Sequence, residues 1–222
     1  MTGRKRKGNQ VIKTYGELDA TQIDVLRELG NIGAGNAATS LSVMLDEGVG
    51  ISVPQVKILD YDGVVRVVGD PEDLGVAIMI QFGGDVRGIV LFVLNHEDAM
   101  SIGDLLVGEA YHPEEGCEEP DLMAEMKLST IKEIGNILGC SYLGSIGTMT
   151  GLTFEVSVPY VAIDMVGAIL SAPLLLFSMD NSKILLVEES FSTESHSIRS
   201  HVILFADITS LNTILNKLGL DV

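Results

Sequence analysis

Apolar positions between residues 23 and 44 recur with the period of a helix. At about 100° per residue, Ile23, Leu26, Gly30, Ala34, Ala37, Leu41 and Met44 share one stripe, and Asp24, Glu28, Asn31, Gly35 and Ser42 share a second face. Asp19 or Thr21 can cap this helix, and Gln22 can close a capping box with Asp19. Gly33, Gly35, Ala37 and Ala38 lower helix propensity, by about 1 kcal/mol per glycine, so a run of small residues here points to close approach of another backbone. Beyond Gly48 and Gly50, alternation predicts a strand over 51–59, with Pro54 placing it at an edge or bulge. Residues 60–75 read as loop or short helix. Strands over 76–82 and 88–94 form a hairpin around Gly83-Gly84-Asp85, and Asn95 caps a helix that runs to about Val107 and closes at Gly108.

The plan then repeats. After an acidic connector at 112–120 come a helix over about 121–145, strands over 154–163, 183–191 and 199–206, and a final helix over 208–218. Residues 164–178 have the apolar content and length of a helix interrupted by Pro173, and a Ser-rich loop over 190–200 replaces the tight first hairpin. The expected fold class is α+β: a single domain built from two duplicated halves, about 19–110 and 121–222, with pseudo-twofold symmetry, an antiparallel sheet and long helices on one face. Residues 1–18 read as a flexible basic tail ahead of it.

The repeat extends to polar residues. Asp24, Glu28, Asn31 and Pro54 recur 105 positions later as Ser129, Glu133, Asn136 and Pro159, so both copies read [DS]-x3-E-x2-N-x22-P. A packing constraint accounts for the glycines and prolines, but it does not demand a carboxylate and a carboxamide three residues apart on an exposed helix face.

Charge narrows the partners. The net charge is −17, and setting aside Arg4, Lys5, Arg6 and Lys7 leaves 10 basic against 31 acidic residues in the body. Nucleic acid is a poor match for such a surface. No run of about 18 uninterrupted apolar residues is present to insert in a membrane, and no signal-type apolar segment is read near the start. The expectation is a cytosolic protein. Cys117 and Cys140 give neither a disulfide framework nor metal-ligand spacing, and with four scattered histidines no metal site is expected. Cys140, whose counterpart is Gly35, reads as a helix-packing residue. Gly30-Asn31-Ile32-Gly33-Ala34-Gly35 follows a helical pattern rather than a strand and lacks a following Lys-Ser/Thr pair, so neither phosphate-loop fingerprint fits. Neither copy sets a Ser or Cys beside a local His, which leaves nucleophilic catalysis unsupported. A Glu and an Asn at i, i+3 can instead pair with a partner's lysine and hold a water in line for attack.

Both copies resemble the motif of the CheC family of chemotaxis phosphatases, related to CheX and to the flagellar switch phosphatase FliY. The likeness runs through residues 26–45, Tyr142-Leu143, Asp164-Met165 and Gly167-Ala168-Ile169-Leu170. It implies hydrolysis of the aspartyl-phosphate of a CheY-type response regulator. Asn31 and Asn136 would orient the water, Glu28 and Glu133 would contact the receiver's lysine, and Asp24 and Ser129 would support the site. Pro54 and Pro159 would shape the adjoining strand starts. The resemblance implies no cofactor of the chain's own, with Mg²⁺ carried by the receiver, and CheD as a further partner through about 164–178. The competing reading is a non-catalytic adaptor of the chemotaxis or flagellar switch apparatus, a scaffold binding CheD or the receiver. The middle domain of FliM is the family precedent.

Overall fold

A computed structural model describes residues 11–110, 120–176, 184–193 and 197–220. Among these residues six α-helices pack on one antiparallel sheet: α1 (Ala20–Leu45), α2 (Tyr61–Val68), α3 (His96–Ala110), α4 (Pro120–Thr150), α5 (Val166–Leu176) and α6 (Ile208–Lys217). The strands are β1 (Gly50–Ile51), β2 (Gln55–Leu59), β3 (Leu74–Gly84), β4 (Gly88–Asn95), β5 (Phe154–Val156), β6 (Tyr160–Met165), β7 (Ile184–Ser192) and β8 (Ser197–Ala206). The element order of the first half therefore recurs in the second. Pairing exchanges strands between them, since β1 and β2 of the first half pair β7, while β5 and β6 of the second pair β3. The β3–β4 and β7–β8 hairpins meet at the central β4–β8 pair. Neither half closes a sheet alone.

Alternate residues of the central strands enter two cores. Val90, Phe92 and Leu94 face the core under α1 and α4, whereas Ile89, Leu91 and Val93 face a second core with Val64 of α2 and Val166, Ile169 and Leu170 of α5. The long helices do lie on one face, and the short α2 and α5 cover part of the other. Pro173 stays within α5. Burial of Val166, Ile169 and Leu170 against the sheet supplies what the missing N–H takes away.

Four local expectations are corrected. The loop read over 190–200 is mostly strand, since β7 runs to Ser192 and β8 begins at Ser197, and the two pair as far as Ser192 with Ser197. The segments read as single strands over 51–59 and 154–163 each break in two before their proline, because proline donates nothing to a ladder. The tail reading fails over residues 11–18. Ile12, Tyr15 and Leu18 are buried, Tyr15 lies in a 3-10 turn, and its hydroxyl donates to the Ala206 carbonyl (2.8 Å) while accepting from the Ala206 N–H (3.2 Å). Asn212 adds a bond to the Ile12 carbonyl at 2.8 Å. The basic residues 4–7, the 112–119 part of the connector and residues 177–178 lie outside the described residues.

Where α4 meets the sheet, the Tyr142 hydroxyl donates to Glu189 Oε2, and the Tyr142 ring sits edge-on to Phe92 at 5.7 Å. Glu189 is 1% exposed, and its Oε1 has no partner among the described residues. Burial pushes its carboxyl up to about 7, against the opposing pull of the Tyr142 donation. Burial first, then the neighbouring carboxylate, raises the Tyr142 phenol well above its ordinary value.

Candidate functional site

Each motif rides on one of the two long helices. At the start of α1 the Asp19 carboxylate accepts from the Gln22 N–H (2.9 Å), and the Asp19 N–H donates to Gln22 Oε1 (2.8 Å), the capping box read from the sequence. From that start the helical period buries Leu26, Leu29, Gly30, Gly33, Ala34, Ala37 and Leu41, and leaves Asp24, Glu28 and Asn31 exposed on the other side. α4 repeats the arrangement: Ile131, Ile134, Gly135, Leu138 and Gly139 are buried, and Ser129, Glu133 and Asn136 are exposed.

Small residues set how deep each helix sits. A methyl group added at Gly33 would lie 2.8 Å from the Tyr142 ring and 3.2 Å from its Cα, so α1 and α4 cross in close contact there. Asn36 donates to the Ser145 hydroxyl across the same crossing at 2.9 Å. On α4, methyl groups at Gly135 and Gly139 would strike the side chains of Ile78 and Ile80 on β3. Gly33, Gly135 and Gly139 therefore let the helices pack closely on each other and on the sheet, which holds both polar faces in fixed relation to the core, whereas Gly35 faces open space.

The two faces are built alike but not identically. In the first, a methyl at Gly30 would lie 3.8 Å from the buried Pro54, so the motif proline packs beneath the helix one residue from Asn31. Arg27 donates to Asp24 at 2.8 Å on the exposed surface. In the second, Ser129, Lys132, Glu133, Asn136 and Cys140 line a shallow groove of about 360 Å³ whose far wall is Val156, Ser157, Val158 and Pro159. Lys132 occupies the position of Arg27, but Ser129 offers it no carboxylate. The side chains of Glu28, Asn31 and Glu133 form no hydrogen bond or ion pair with any described residue. Asn136 receives only a long contact from Cys140 Sγ, at 3.7 Å.

The helix-packing reading of Cys140 is thus corrected, because its thiol is exposed in the groove beside Asn136. Reading the 105-residue comparison at the positions between Asp24 and Pro54 finds further pairs, among them Arg27 with Lys132, Ser52 with Ser157, and Val53 with Val158. Among the described residues no cluster of three or more His, Cys, Asp or Glu could hold a metal ion, and no helix is long and apolar enough to cross a membrane.

Chemically, each face offers an acceptor-only carboxylate and a carboxamide that both donates and accepts, on a convex helix surface rather than in a deep pocket. A family model described as CheC-like matches residues 22–58 and 126–163, two segments that each run from the Glu/Asn pair through the motif proline. The CheY-P phosphatase CheC of Bacillus subtilis is 31% identical over 200 residues, covering 89% of this chain and 94% of that protein. The flagellar motor switch phosphatase FliY of Bacillus subtilis is 28% identical over 145 residues, or 65% of this chain and 36% of the relative. Among solved structures, Thermotoga maritima FliY superposes with a TM-score of 0.69 at 24% identity, covering 91% of this chain and 98% of the other. The FliM middle domain from H. pylori superposes with a TM-score of 0.57 at 14% identity, over 90% and 99%. With this sequence likeness across nearly its whole length and the shared fold, the chain belongs to the CheC-like family.

Proposed function

We propose that this protein is a phosphatase acting on the aspartyl-phosphate of a CheY-type response regulator, with two active faces. The observation that carries the reading is the pair of exposed, unengaged Glu/Asn sets, Glu28 with Asn31 and Glu133 with Asn136, on rigid helices whose other sides are locked into the core. The fold itself does not decide the matter, since it is shared with the FliM domain. The site chemistry and the phosphatase names of the relatives favour turnover.

An acyl phosphate is already an activated anhydride, so its hydrolysis needs a water placed in line and charge stabilisation on the phosphoryl oxygens. The receiver would supply its own Mg²⁺ and lysine. Glu28 or Glu133 pairs with that lysine and fixes the docking register. Asn31 or Asn136, one helical turn on, accepts a hydrogen bond from the water through its carbonyl or donates one to the water oxygen through its amide, aiming a free lone pair at phosphorus. Asp24 and Ser129 support the sets, with Asp24 engaging Arg27. Pro54 and Pro159 brace the strand starts beside them. For a CheD-type partner the corresponding surface is β6 with α5, where Tyr160, Ala162, Asp164, Ala168 and Pro173 border a groove of about 200 Å³. Co-purification with CheD, and its loss in Ala168→Glu, tests that extension.

The test of the main proposal is the decay of a phosphorylated cognate receiver with Mg²⁺, followed with wild type, Asn31→Ala, Asn136→Ala and the double variant. Removing a positioned hydrogen-bonding group costs about 10²–10³ in rate, so each single variant keeps the activity of its other face and the double variant loses acceleration. An unaccelerated decay with wild type that still binds the receiver would establish the scaffold reading. Full activity in the double variant would remove Asn31 and Asn136 from the mechanism.

A further inference from the structure

The loop ahead of each motif proline is built the same way twice. At Ser52 the N–H donates to the Ser190 carbonyl and the hydroxyl accepts from the Ser190 N–H, both at 2.9 Å. At Ser157 the N–H donates to the Gln81 carbonyl at 2.9 Å and the hydroxyl accepts from the Gln81 N–H at 3.0 Å. Each serine thus ties its loop to a strand of the other half, β7 in one case and β3 in the other. Two residues further on, Pro54 and Pro159 are buried. A chain pinned on both sides of one residue holds that residue outward, and Val53 is 73% exposed and Val158 84%.

This exposure is specific to the repeat. Val11 and Leu74 are exposed as well, with counterparts outside the described residues. Large apolar side chains are also exposed at Val43, Met149, Val156, Tyr160, Ile163 and Met165. Their counterparts 105 residues away are the polar Thr148, Gln55 and Asp60 or the less exposed Met44, Ile51 and Ile58. Among the described residues, Val53 and Val158 are the one pair of large apolar residues exposed at equivalent positions in both halves. Val158 also shares its groove with Glu133 and Asn136.

We propose that Val53 and Val158 are recognition residues, each seating apolar surface of the phosphorylated receiver next to its Glu/Asn pair. The inference rests on the phosphatase reading above. Any receiver that brings its phosphoaspartate within hydrogen-bond reach of Asn136 must enter the groove that Val158 walls, and in the first half Pro54, the neighbour of Val53, packs against α1 at Gly30, the neighbour of Asn31. The polar contacts of the Glu/Asn pair give direction but little net affinity in water. An apolar contact dehydrated by docking supplies affinity, felt equally in the ground and transition states, so it governs KM rather than kcat.

The test uses the full chain carrying Val53→Thr and Val158→Thr together, with Val53→Ile/Val158→Ile as the conservative control, on a receiver phosphorylated by a small acyl-phosphate donor. Placing a hydroxyl where a methyl is buried weakens docking about tenfold. The expected result is KM raised about tenfold with kcat and the unfolding midpoint unchanged, and near wild-type values for the Ile pair. An unchanged KM, or a loss confined to kcat, overturns the proposal while leaving the phosphatase reading intact. Binding to a beryllofluoride-loaded receiver separates the two readings. If wild type binds without accelerating decay and the Thr pair binds about tenfold more weakly, turnover falls and Val53 and Val158 stand. If wild type neither binds nor accelerates decay, both fall.

Discussion

The buried Glu189 carboxyl makes stability depend on pH in a direction opposite to most carboxylates. Its ordinary value is 4.5 and its folded value is about 7, raised by burial between α4 and the sheet. The folded protein therefore holds this proton more tightly than the unfolded chain does. Between those two values the native state binds more protons, so stability from this group falls as pH rises, complete below 4.5 and fully lost above 7. A gap of that size corresponds to about 3 kcal/mol. Glu189→Gln keeps the shape and removes the ionisation. Urea unfolding followed by circular dichroism at pH 5 and pH 8 compares the two proteins, and carboxylates common to both cancel. The expected outcome is a variant more stable by less than about 1 kcal/mol at pH 5 and by about 3 kcal/mol at pH 8, seen as a midpoint several degrees higher on heating. The same difference at both pH values, or a variant less stable at pH 8, would refute the reasoning and mean that the carboxylate is solvated or paired in the folded protein.

Two further substitutions probe the packing. Gly33→Ala forces a methyl against the Tyr142 ring and backbone, with an overpacking cost of about 1–3 kcal/mol that outweighs a helix-propensity gain of about 1 kcal/mol, whereas Gly35→Ala, which meets open space, keeps the gain. Thermal unfolding of the two variants in parallel checks the sign of each, and a stabilised Gly33→Ala would place the α1–α4 crossing further apart. Tyr15→Phe removes both bonds to Ala206 and leaves its buried carbonyl with one acceptor bond fewer, a loss of about 1–2 kcal/mol measurable by urea unfolding. No change would return residues 11–18 to the status of a loose tail.

Much of this protein is written locally. The capping box at Asp19 and Gln22, the stripe from Leu26 to Leu41, the β3–β4 hairpin and the doubled Glu/Asn/Pro spacing follow from period, propensity and turn chemistry, which act over a few residues. That is why the candidate residues Glu28, Asn31, Glu133 and Asn136 could be placed on common helix faces from sequence. Other features need partners far along the chain. Tyr15 is held by Ala206, and the segment around it looks like a polar tail until that contact exists. Ser52 and Ser157 are unremarkable until Ser190 and Gln81 lie opposite them, and only then does the intervening valine turn outward. Cys140 was matched to Gly35 by position, yet its exposure depends on where β5 and the Pro159 loop wall the groove. Pro173 breaks an isolated helix, but burial of its neighbours against the sheet holds α5 together. Period, propensity and spacing fix most of the elements and the repeated chemistry. The tertiary structure decided which strands exchange between halves, how deep α1 and α4 sit, and which side chains remain free for a partner, because those outcomes depend on apolar burial and hydrogen-bond satisfaction summed over the whole chain.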